Sequence, residues 1–185
     1  MLNPVAVNLA YLFGYLREVC TFDFMELSNF SSLAGAAKKS NKELVKRLKK
    51  MKSGTVDQLF QQAHAEVFEC TDCLKCANCC TTTGPLWTNK DIERIAKHLK
   101  MKPGAFIEAY LRIDEEDDYV LQNVPCHFLG ADNYCGIYEV RPKACREYPH
   151  TDRANQKQIL NLAVRNTSVC PAVFEIFEKL KAQLT

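Results

Sequence analysis

A chain of 185 residues, 47% of them hydrophobic, can bury a core of its own, which excludes wholesale disorder and fits one domain. With 24 basic and 22 acidic residues the formal charge is only +2, which excludes a molecule-wide attraction to nucleic acid or membrane. Ten cysteines are the exceptional feature. Their crowding into one short loop, in a chain large enough to fold unstapled, argues against a secreted disulfide scaffold and for a metal site in a reducing, cytoplasmic setting.

In chain order, the first expected feature is the apolar run Val5 to Leu16, interrupted by Asn8. It is about a dozen residues long, short of the ~20 that a spanning helix needs. No basic residue precedes it as a signal peptide would require, and Arg17 and Glu18 follow it directly. Residues 1–30 therefore read as an N-terminal extension, docked or loose, with Met25 as an alternative start.

Residues 31–69 form a basic helical segment. Leu33, Ala37, Leu44, Leu48 and Met51 have helical spacing, and Lys38, Lys39, Lys42, Lys46, Arg47, Lys49, Lys50 and Lys52 cover the other face. That 38–52 surface offers a contact for nucleic acid or an anionic membrane, but it lacks the interleaved aromatics that stack on bases, so a solvated face is expected. Ser53-Gly54 is read as a stop and Thr55 as the N-cap of a second helix, Val56 to Phe68. Thr88 and Asp91 have capping-box spacing ahead of Ile92, Ile95 and Leu99, and Pro103 suits the first turn of a further short helix. The five acids Asp114 to Asp118 repel one another and belong in a solvated loop. Tyr119 to Leu121 and Tyr134 to Tyr138 read as short strands around the turn Gly130 to Asn133. Ile159 to Val164 reads as helical, and Pro171 opens a last helix to Leu180. The expected class is mainly α with a small β-hairpin, a compact single domain organised around a cysteine-ligated metal site in residues 70–185.

The central motif runs from Cys70 to Cys80, with cysteines at 70, 73, 76, 79 and 80. Thiolates in C-x-x-C units lie on one tight turn and can face one metal, zinc or the irons of a cluster. Cys79 and Cys80 are adjacent, and in an extended segment neighbouring side chains diverge, so this pair straddles two metal positions. The additional ligands this demands are supplied by Cys126, Cys135, Cys145 and Cys170. Eight thiolates suit two four-ligand sites or one cluster with a larger shell, and spacing alone does not pair them. Cys70, Cys73, Cys76 and Cys80 also match a ferredoxin spacing, with Thr81 where that motif has proline.

Cys73-x-x-Cys76-x-x-Cys79-Cys80, then Pro125-Cys126-His-Phe-Leu129, Cys135-Gly-Ile-Tyr138 and Arg141-Pro-Lys-Ala-Cys145-Arg-Glu-Tyr-Pro149, resemble the YkgJ-type cysteine-cluster family of zinc- or iron-chelating or iron–sulfur domains. The resemblance covers roughly Leu33 to Leu180 and implies that Cys73, Cys76, Cys79, Cys80, Cys126, Cys135, Cys145 and Cys170 are metal ligands. Cys70 and the Val5–Phe24 stretch lie outside its pattern. It also extends to flagellin lysine methylases with a similar cluster, yet seven glycines and no G-x-G-x-x-G run give methyl transfer little support here.

An iron–sulfur cluster is the preferred cofactor because structural zinc usually takes separated knuckles, with zinc as the alternative. The function expected is metal binding with a redox or modifying-enzyme role served by a protein or redox partner; a zinc-stapled, non-catalytic interaction module is the alternative. Arg141 and Arg146 flank Cys145, either to offset thiolate charge or to pair with Glu139 or Glu147. Tyr138 and Tyr148 read as half-buried core residues, and His127, which follows Cys126, is not needed as a substitute ligand because the cysteine supply suffices.

Overall fold

A computed structural model describes residues 27–184 of the chain. The apolar run Val5 to Leu16, Cys20 and the Met25 start lie outside the described residues. The described part is mainly helical with one small antiparallel sheet, as expected.

Helix α1 (Leu27–Lys50) begins earlier than its leucine spacing suggests. It buries Phe30, Ala34, Leu44, Val45 and Leu48, whereas Leu33, expected on the apolar face, is 42% exposed. Its lysines face solvent. Helix α2 (Ser53–Phe68) is set off at Met51–Lys52, so Ser53 and Gly54 open the helix instead of stopping the previous one. With α8 (Leu160–Asn166) and α9 (Pro171–Gln183), these helices enclose the larger core, in which Phe60 meets Phe177 edge to face at 6.0 Å. Pro171 occupies the first turn of α9, where its missing N–H costs no hydrogen bond.

The second core lies wholly within the intervening chain, and it shares no buried residue with the first. Helix α5 (Asn89–His98) starts with the expected capping box between Thr88 and Asp91, and α6 (Pro103–Tyr110) with the expected proline. Together they pack Ile92, Ile95 and Phe106 against Trp87 and Ile137.

The hairpin differs from expectation. Strand β1 (Leu111–Ile113) pairs with β2 (Tyr119–Leu121), so the acidic run is the hairpin turn. One Oδ1 of Asp114 accepts the N–H groups of Glu116 and Asp118 at 2.9 and 3.0 Å, and Asp117 takes a left-handed φ of 61°. A carboxylate that caps its own turn outweighs the mutual repulsion of the acids. The segment expected as the partner strand holds a single bridge, Leu129 to Cys135, followed by a 3-10 turn at Tyr138–Val140. Among the described residues no helix is long and apolar enough to cross a membrane.

Candidate metal centre

The chain leaves the first core at Phe68, builds the second, and rejoins the first at Leu160. Cys170 packs against the first core, while Cys126 and Cys135 pack against the second.

Two single-turn helices present the cysteine loop: α3 (Cys73–Cys76) and α4 (Asn78–Thr82). Asp72 caps α3 through its side chain, accepting from the N–H groups of Leu74 and Lys75 at 3.0 and 3.4 Å. Ala77, at φ 46° and ψ 10°, breaks the helix and redirects the chain. Cys79 and Cys80 are thus on a helical turn, not in an extended segment. Their side chains diverge by about 100°, the angle set by 3.6 residues per turn, instead of pointing to opposite sides. Their sulfurs are 3.9 Å apart.

All eight expected ligand cysteines are free thiols. Cys70 is disulfide-bonded, which sets it apart from them and counts against the ferredoxin assignment. Cys73 is exposed and the other seven are half-buried.

Burial and neighbouring thiols shift most of the eight upward. The Cys170 thiol is pushed up to about 11, chiefly by burial, with the charges of Cys73 and Cys76 adding. Cys145 is pushed up to about 12, again chiefly by burial, but here by Cys80, Cys126 and Cys135. Cys126 is raised by burial and then by Cys80 and Cys135. Cys79 and Cys80 share one S–H···S contact and shift in opposite directions, Cys79 up and Cys80 down.

Backbone N–H groups aim at several sulfurs: that of Asn78 at Cys76, of Phe128 and Leu129 at Cys126, of Ile137 at Cys135, and of Ala172 and Val173 at Cys170. Each favours the thiolate, the form that binds metal. The donor set therefore fits a thiophilic ion by its chemistry. No three His, Cys, Asp or Glu groups among the described residues close on one point.

A cavity of about 70 Å³ opens onto Cys73, Cys76, Cys79 and Cys170, with Tyr148 in its wall and Cys70 at its edge. The Tyr148 hydroxyl is buried without a hydrogen-bond partner of good geometry. Burial and then the charges of Cys170 and Cys79 hold its acidity down. A wider cavity of about 690 Å³ shares Phe68, Tyr148 and Pro149 with it.

The two arginines differ: Arg141 offsets thiolate charge, as one alternative has it, and Arg146 does not pair with Glu147. Arg141 lies over the Tyr138 ring at 3.8 Å and donates to the Tyr138 carbonyl at 2.7 Å, while its charge favours the Cys135 and Cys145 thiolates. Arg146 donates to the Arg141 carbonyl at 2.7 Å, and Glu147 pairs with Lys143 at 3.6 Å. His127 stands edge-on to Tyr110, at 5.6 Å between rings.

Two supports escaped the sequence reading. Asn78 donates to the carbonyl of Val169, next to Cys170, at 2.6 Å. Buried Asp91 accepts the Lys143 N–H at 3.1 Å and the Arg94 guanidinium at 2.6 Å, and Arg94 reaches on to the Val140 and Arg141 carbonyls at 3.3 and 3.0 Å. These bonds fix the segment that presents Cys145. The capping-box signal located Asp91, but its second partner lies 52 positions away and has no local signature.

Residues 72–171 match a family described as "CxxCxxCC: Putative zinc- or iron-chelating domain". No curated protein and no solved structure matches the chain. Since the match covers more than half of the 185 residues, along the stretch that carries all eight free thiols, the chain belongs to the CxxCxxCC family.

Proposed function

We propose that this protein holds iron, as an iron–sulfur centre, through Cys73, Cys76, Cys79, Cys80, Cys126, Cys135, Cys145 and Cys170. One observation carries the reading: of eight free thiols, Cys73, Cys76, Cys79 and Cys170, from distant positions in the chain, line one cavity. Backbone N–H groups that favour the thiolate at Cys126 and Cys170 suit bound sulfur. The dense run with consecutive cysteines favours iron over zinc, whose structural sites usually take separated pairs. Such a centre would supply electron transfer, or a redox-linked modification, with a redox protein as partner.

Zinc acting as a staple is the second reading, favoured by the absence of any buried residue common to the two cores. In that case the exposed lysine face of α1 would serve as the contact surface for a partner. Purification without air or chelators, followed by iron, sulfide and zinc analysis and a visible spectrum, separates the readings. Bound iron with sulfide and a coloured protein is expected. A colourless protein with stoichiometric zinc would replace the first reading with the second, and a metal-free protein would remove both.

A further inference from the structure

We infer that the eight thiols divide into two neighbouring metal centres, Cys73, Cys76, Cys79 and Cys170 in one and Cys80, Cys126, Cys135 and Cys145 in the other, with the boundary at the peptide bond between Cys79 and Cys80. The inference rests on the metal-binding reading above and goes beyond it by assigning each ligand.

The first set is defined by the small cavity, which reaches all four of its cysteines and none of the second set. Asn78 holds the loop to Val169, so Cys170 is kept beside α4. The buried Tyr148 hydroxyl belongs to this side as well, beside Cys170 and able to donate to a thiolate of the first centre.

The second set is held by the other core. The N–H of Cys126 donates to the carbonyl of Cys80 at 2.8 Å, so the chain around Cys126 is tied to the far side of α4. Cys135 follows through its bridge to Leu129, and both Cys126 and Cys135 pack against the second core. Asp91 and Arg94 position the stretch leading to Cys145.

The divergence of about 100° between adjacent helical side chains lets Cys79 and Cys80 face different groups. Four thiolates per set complete the shell usual for zinc and for iron–sulfur clusters alike, so the division holds for either metal.

The test uses the full chain purified anaerobically, with metal content measured and cysteine protection mapped by alkylation and peptide mass spectrometry. In Cys170→Ser, Cys73, Cys76 and Cys79 should become reactive while Cys80, Cys126, Cys135 and Cys145 stay protected, and about half of the metal should remain. Cys126→Ser should give the reverse pattern. Folded variants in which all seven remaining thiols react together would overturn the division, as would protection that crosses the assigned boundary. Wild-type protein treated with graded chelator gives the same information if a variant does not fold. Release of one set before the other supports the assignment, and simultaneous release of all eight overturns it. Eight reactive cysteines and no metal in untreated wild-type protein would instead sink the metal reading itself.

Discussion

Asp91 shows how one buried carboxylate joins two segments far apart in the chain. It caps α5, accepts from Arg94 and from the Lys143 N–H, and so joins that helix to the segment carrying Cys145. Asp91→Ala leaves the Lys143 N–H without its partner and Arg94 with only its carbonyl contacts, a loss of about 1–3 kcal/mol. A lower thermal midpoint together with reduced metal content is expected; unchanged metal content would show that Cys145 is positioned by other contacts. Burial alone would push this carboxyl up, but its bonds to Thr88, Arg94 and Lys143 outweigh that and hold it below the usual carboxylate range. A depressed pKa contributes stability above the unfolded value of about 4, which is lost as pH falls through the folded value. The stability gap between wild type and Asp91→Asn, read from urea midpoints at a series of pH values, should therefore narrow in acid. A gap independent of pH would show that the charge of Asp91 contributes nothing.

At the scale of elements, Asn78 is the strut between the cysteine turns and the chain entering α9. Asn78→Ala removes one hydrogen bond, about 1 kcal/mol, without touching a thiol. Alkylation mapping should then show Cys170 becoming reactive while Cys126 and Cys135 stay protected; equal exposure of all three would count against a local role. Elements with punctuation of their own were legible in the sequence. The capping box at Thr88 and the prolines at 103 and 171 mark helix starts because each satisfies or removes an orphan donor locally. The hairpin was misread because the turn depends on what the Asp114 side chain does, while charge counting sees only repulsion between neighbours. The eight thiols were legible as a set, but their neighbourhoods were not. Spacing gives the reach of a C-x-x-C turn, whereas the tie between Cys126 and Cys80 spans two elements and depends on the second core.

At the scale of the molecule, the chain places one core inside the interval between the two halves of another. The outer core rests on helices of 24, 16 and 13 residues, with Phe60, Phe177 and Leu48 fully buried. The inner core has eight buried hydrophobic residues around helices of 10 and 8 residues, too little burial to offset much chain entropy unaided. Metal binding at its border would therefore contribute folding energy mainly to the inner core. Trp87, the single tryptophan, is buried there and reports on it alone. Chelation should shift Trp87 emission to the red and expose it to quenchers while most of the far-ultraviolet helical signal, which comes from the outer helices, persists. Loss of both signals together would mean that the metal supports the whole chain as one unit. An unchanged Trp87 signal after complete metal removal would mean that the inner core stands by itself, and the staple would then have no structural task.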